Sequence, residues 1–166
     1  MNALNRHTFS ALILGFMVLG SPLALAKEEI VIALQQDPAS VDGTEPTCVA
    51  LQMGIGLLTY KKSTEVTLFA SLDGVFIADL ATYGDPDDSS DDPVCETMDP
   101  ETGALGTAPL GAILNRFLNE GGEVLLCPLC FATRVRDDGL IAIEDDRIYA
   151  ANPMPLLHRA KKVITY

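Results

Sequence analysis

At 166 residues and a formal net charge of −12, the chain sets 11 basic side chains against 23 carboxylates. It therefore lacks the basic surface that nucleic acid or an anionic membrane requires of a partner. Its 48% hydrophobic content excludes a disordered chain and suits one packed domain.

The amino terminus has the layout of a secretory signal. Arg6 and His7 form a short polar region, residues 11–19 (ALILGFMVL) are apolar, and Ala24-Leu25-Ala26 supplies a small-x-small cleavage pattern. Residues 1–26 are thus expected to be a signal peptide and residues 27–166 the mature domain, delivered to the periplasm or outside the cell. The apolar run is shorter than the about 20 residues of a membrane span. No cysteine follows it directly, so the mature form is expected to have no membrane or lipid anchor.

Residues 30–34 (IVIAL) form a short apolar, β-branched run, which predicts a buried strand. A polar loop follows, and then a helix to about Tyr60, with Thr44 or Thr47 as its cap and Pro46 in its first turn. Residues 65–70 (EVTLFA) predict a second strand, Asp73-Gly74 a turn, and residues 75–80 a short helix or half-turn. Residues 83–106 are the least regular part, an acidic excursion with eight carboxylates and Cys95. Loops of that length inside a compact domain are uncommon.

Periodicity returns after Pro109, where Leu110, Ile113, Leu114, Phe117 and Leu118 share one helical face that Gly121-Gly122 ends. Residues 124–126 predict a strand that runs directly into Cys127-Pro128-Leu129-Cys130 and a helix to about Val135. Asp137-Asp138-Gly139 reads as a turn and residues 140–143 as a short strand or loop. Residues 155–162 read as a helix and 163–166 as a last strand. Strands alternating with helices predict a single-domain α/β sandwich of three layers around a mainly parallel sheet.

In such sheets, ligand sites form beyond the carboxyl ends of the strands. Cys127 ends one strand, Cys48 begins the helix after the first, and Cys95 lies in the excursion after the second, so the four cysteines are expected along one edge. A thiolate at Cys127 would be favoured by backbone N–H groups opening the following helix, and Arg134 would add positive potential. Cys130 then serves as a resolving thiol. The bland alternative is an inert pair, as buried thiols or a disulfide. For Cys48 and Cys95, a structural disulfide is expected, constraining the unfolded chain by about 2–4 kcal/mol. No metal is expected, because one CxxC supplies two ligands and His158 is the only histidine after residue 26. The run 85–93 lacks the ligand order of a calcium loop. No cofactor motif is present.

Three segments carry a resemblance to the DsrE/DsrF-like family of sulfur-relay proteins. They are the first strand with its Gly-containing helix, Val66-Thr67-Leu68-Phe69 followed by Asp73-Gly74-Val75, and the stretch from Gly122 through Cys127 to Arg134. The last strand, Val163-Ile164-Thr165-Tyr166, also resembles the family's. The resemblance implies a flavodoxin-like sheet of about five strands, a trimer or hexamer, and transfer of sulfane sulfur as a cysteine persulfide. The family's sulfur-carrying cysteine falls on Cys127, the second cysteine of some members on Cys130, and a basic residue of the next helix on Arg134. The chain departs from the family in its signal-like amino terminus and in the acidic insertion at about 83–106.

The function expected is that of an exported sulfur-handling protein that loads sulfane sulfur on Cys127 and exchanges it with a donor or an acceptor thiol or protein. Two alternatives remain: a thiol–disulfide oxidoreductase cycling Cys127 and Cys130, and a non-catalytic binding or assembly module with structural cysteines.

Overall fold

The computed structural model describes residues 27–61, 64–80, 93–98, 103–134 and 146–166. The expected signal peptide, the acidic run 85–92 and the expected strand at 140–143 lie outside them.

The central sheet comprises β1 (Glu28–Leu34), β2 (Thr64–Ala70), β5 (Glu123–Leu126), β6 (Ile148–Ala150) and β7 (Lys162–Thr165). A separate antiparallel ribbon pairs β3 (Val94–Met98) with β4 (Leu105–Pro109). The five central strands are all parallel, in the order β6-β5-β2-β1-β7. The chain therefore steps outward from β1 through β2 and β5 to β6, then crosses back to place β7 on the far side of β1. This is the expected α/β sandwich. Parallel strands must be covered on both faces, and the two faces are covered unequally.

On one face lie α1 (Val41–Tyr60) and α3 (Leu110–Asn119). Here Ile32, Leu34, Val66, Leu68, Ala70, Val124 and Leu126 point from the strands into a core shared with Leu51, Ile55, Leu114 and Phe117. Each such side chain contributes about 1.5–3 kcal/mol on burial, so this face dominates the stability. The other face carries the short α5 (Met154–Arg159), whose Leu156 packs on Val31 and Leu125.

Phe117 is fully buried and depends on two glycines. A Cβ at Gly54 would lie 2.7 Å from its ring, and one at Gly122 would lie 2.3 Å from it. The ring thus occupies space that any larger residue at either position would take. The glycines in the sequence mark this close approach between α1, α3 and the entry to β5.

Three boundaries differ from expectation, each for a local reason. The first helix begins six residues before Thr47, because Ser40 is its cap: the Ser40 Oγ accepts from the Gly43 N–H at 3.0 Å. Thr44 and Thr47 instead donate back to helix carbonyls, Ser40 O and Gly43 O. Pro46 consequently lies inside the helix, where it withholds the N–H that would normally bond the carbonyl four residues earlier. Within the acidic excursion, the described residues 93–98 and 105–109 form the β3–β4 ribbon rather than irregular loop. The strand beyond β5 is residues 148–150, joined to it as Val124–Ile148, Leu125–Tyr149 and Leu126–Ala150.

Between β2 and α2 (Ile77–Leu80) the chain makes a 3₁₀ turn over Leu72–Phe76. Helix α4 (Pro128–Arg134) packs against that turn. Among the described residues, no helix is long and apolar enough to cross a membrane.

Candidate functional site: the thiol pair beyond β5

β5 is flanked by β2 and β6. Its ladder runs one residue past the strand, since the Cys127 N–H donates to the Ala70 carbonyl at 2.8 Å. The chain then turns at once into α4. Pro128 is the first helical residue, where its missing N–H costs nothing. The Cys127 carbonyl accepts from the Phe131 N–H at 2.9 Å and closes the first helical turn. Cys127 therefore sits at the junction of strand and helix, with Cys130 three residues further on.

Both cysteines are free thiols and half-buried. Partial burial by itself raises the Cys127 thiol. Hydrogen bonds from the Cys130 thiol and from the backbone N–H groups of Cys130 and Leu129 outweigh it, and the net direction is down. Cys130 moves the other way. Burial pushes it up, as do the hydrogen bond and the charge shared with Cys127, and the Leu72 N–H only partly counters them. The pair is thus asymmetric: the Cys127 thiol is the more acidic of the two, and the Cys130 thiol lies beside it as a hydrogen-bond donor. Such an asymmetry is what an attacking and a resolving sulfur would need.

Leu72 comes from the loop after β2. Its φ is +52°, making it the one non-glycine among the described residues in the left-handed region. A left-handed residue with a Cβ costs about 1–2 kcal/mol. The loop accepts the strain because its neighbours are pinned. The Ser71 N–H donates to Leu34 O at 2.9 Å, and the Gly74 N–H reaches Gln35 O at 3.2 Å. Gly74 itself presses on β1, where a Cβ would fall 2.5 Å from Leu34 O. Asp73 forms an ion pair with Arg134, the last residue of α4. The strained residue aims its N–H at Cys130.

The expected site residues are therefore distributed as follows. Cys127, Cys130 and Arg134 share one junction and its helix. The groups that lower the Cys127 thiol are hydrogen-bond donors, and the Arg134 charge is engaged by Asp73. Cys48 and Cys95 form a disulfide between α1 and β3, with Cα atoms 5.4 Å apart. The four cysteines thus divide into a closed pair and an open pair. Leu72 and Asp73 were missed as site residues. The Asp-Gly dipeptide signalled the turn, but nothing in the sequence marks Leu72 as left-handed.

Among the described residues, no group of three or more His, Cys, Asp or Glu is placed to hold a metal ion. His158 is exposed in the last turn of α5. A cleft of about 340 Å³ opens on the α5 face, lined in part by Glu29, Glu65, Glu123 and Tyr149. Its charges are mutually satisfied: Lys27 pairs with Glu65, Arg159 with Glu29, and Tyr149 donates to Glu123. Burial and the Glu123 contact push Tyr149 up to about 12, so it stays a neutral donor. This cleft contains no nucleophile comparable to Cys127.

No protein-family model matches the chain, and neither does any curated protein sequence. Among solved structures, it is similar to the ychN protein from E. coli, with a TM-score of 0.55 and 18% identity over 84% of this chain and 99% of that one. That protein has the DsrE/DsrF-like fold. At this identity the likeness is one of architecture alone.

Proposed function

We propose that this chain is an exported DsrE-like sulfur carrier that takes sulfane sulfur onto Cys127 as a persulfide. The observation that carries this reading is the Cys127 thiol, free, half-buried and lowered by three hydrogen-bond donors at the carboxyl end of a parallel strand. The fold shared with a DsrE/DsrF-like protein supports the reading independently. In the proposed step, the Cys127 thiolate attacks the sulfane sulfur of a polysulfide or persulfide donor. A Cys127 Sγ–S bond forms, the donor's S–S bond breaks, and the donor leaves as a thiolate. Arg134 acts by holding Asp73 and the Leu72 turn over the thiols.

Export is supported by the signal-like amino terminus and by the Cys48–Cys95 disulfide, because such bonds persist in oxidising compartments. A homo-oligomer is part of the same reading. The large apolar side chains of Val41, Tyr60 and Leu105 are almost fully exposed on α1 and the ribbon.

Consumption of polysulfide by the mildly reduced protein tests the reading. Wild type and Cys130→Ser are expected to remove sulfane sulfur stoichiometrically, and Cys127→Ser to remove none. Equal consumption by Cys127→Ser would overturn the assignment. A second reading, thiol–disulfide exchange with protein substrates, is favoured by the contact between the two thiols. It requires Cys130→Ser to accumulate mixed disulfides with those substrates.

A further inference from the structure

Cys130 has no part in loading sulfur onto Cys127 beyond donating a hydrogen bond, yet a strained backbone segment is directed at it. Two independent features meet there. The first is contact between the thiols: the Cys130 side chain is hydrogen-bonded to the Cys127 sulfur. The second is the Leu72 turn, left-handed at φ +52°, pinned by Ser71 and Gly74 to the end of β1 and by Asp73 to Arg134. The Leu72 N–H is the donor that this turn presents to Cys130. Strained, over-determined backbone at a reactive group signals that its orientation is being used.

We propose that the Cys127 persulfide is discharged inside the molecule, with Cys130 attacking Cys127 Sγ while the Leu72 N–H stabilises the attacking thiolate. This rests on the sulfane-sulfur reading above and names the fate of the sulfur. Which sulfur is attacked decides the outcome. Attack on the outer sulfur would only move it from one cysteine to the other. Cys130 is in contact with Cys127 Sγ itself, the inner sulfur, so its attack forms the Cys127–Cys130 disulfide and expels the outer sulfur as HS⁻. The Cys130 proton goes to solvent. The sulfane sulfur gains two electrons, and the two cysteine sulfurs together lose two. The cycle closes when an external dithiol, protein or small molecule, reduces the Cys127–Cys130 disulfide and becomes a disulfide itself. The protein then sits between a reaction that supplies sulfane sulfur and a dithiol reductant, and its product is sulfide.

Leu72 and Asp73 are positioning residues in this scheme. Among the described residues, the titratable and charged groups on α4, its junction with β5 and the Leu72 turn are Cys127, Asp73 and Arg134. Loosening the turn removes a donor to the Cys130 thiolate, so the attack should need a higher pH, and each unit of that change is worth about tenfold in thiolate near neutrality.

The test treats mildly reduced protein with polysulfide, then follows released sulfide and intact mass. Wild type is expected to become two hydrogens lighter and to release one more equivalent of sulfide than loading itself expels from the polysulfide, whereas Cys130→Ser keeps one added sulfur atom and releases no such extra equivalent. Wild type holding the added sulfur as durably as Cys130→Ser would overturn the inference and leave the carrier reading standing. No added sulfur on Cys130→Ser would overturn both. For the turn, Asp73→Asn and Arg134→Gln are each expected to slow sulfide release on the order of tenfold near neutral pH. Release should recover as the pH is raised, which loss of structure would not produce. Wild-type release rates with an unshifted pH profile in both variants would remove Leu72 from the mechanism.

Discussion

Cys127 and Cys130 differ in what surrounds each sulfur, although the same short turn holds them both. Three donors reach Cys127 and drive it down despite its burial, while Cys130 is pushed up by burial and by its neighbour. Alkylation should therefore separate them. With iodoacetamide near neutral pH, Cys127 is expected to react first, with a titration midpoint below that of an ordinary thiol, and Cys130 only at higher pH. The order can be read by peptide mapping, and equal labelling of the two at neutral pH would contradict the asymmetry. The core has its own single-residue test. Phe117→Ala empties the space kept clear by Gly54 and Gly122 and should cost about 3–5 kcal/mol in denaturant unfolding. Gly74→Ala drives a methyl into the Leu34 carbonyl and is expected to destabilise the protein as well as move the Leu72 turn.

Among elements, the β3–β4 ribbon is the most dependent on chemistry outside its own strands. Cys95 is its one fully buried residue among those described, so hydrophobic burial alone gives it little hold. It is fastened by the Cys48–Cys95 bond, by Gln52 donating to Glu96 O at 2.7 Å, and by Leu110 N–H to Pro93 O at 2.7 Å. The bond joins residues 47 apart in sequence, a span for which the chain-entropy account gives about 4 kcal/mol. Replacing both cysteines with serine is expected to lower the unfolding midpoint by a corresponding amount. An unchanged midpoint would show that α1 and the ribbon hold together without the bond.

The same elements show what was legible beforehand. β1, β2 and β5 are short, buried and apolar, and their pattern alone placed them. α3 was equally clear, since Leu110, Ile113, Leu114, Phe117 and Leu118 mark one face and all are buried. The ribbon was not legible because its strands bury almost nothing and so show no alternation. β6 was missed because it is three residues long with only Ile148 buried. The start of α1 was misplaced because Thr44 and Thr47 are cap-forming residue types nearer the apolar repeat, and Ser40 was not considered. Only the Ser40 contact with the Gly43 N–H distinguishes them.

At the scale of the whole molecule, the parallel sheet puts the free thiol pair at a carboxyl edge, where α/β folds form ligand sites. The cysteine pair could be read from sequence because a strand leading straight into CxxC is a local pattern. The Leu72 turn could not, because it reaches Cys130 only through the pairing of β2 with β5. Val41, Tyr60 and Leu105 are large apolar side chains left exposed on α1 and the ribbon, and the proposed homo-oligomer would cover such residues. Light scattering on the mature protein is expected to give the mass of a trimer or hexamer, and a monomer at high concentration would remove that part of the proposal.

The most direct measurement of the central claim is the intact mass of Cys130→Ser after polysulfide, beside the double variant with Cys127→Ser. The account predicts one added sulfur atom on the single variant, located on the peptide bearing position 127 and removed by reductant, and none on the double variant. Sulfur added equally to both, or to neither, would contradict the assignment of Cys127 as the sulfur-carrying residue.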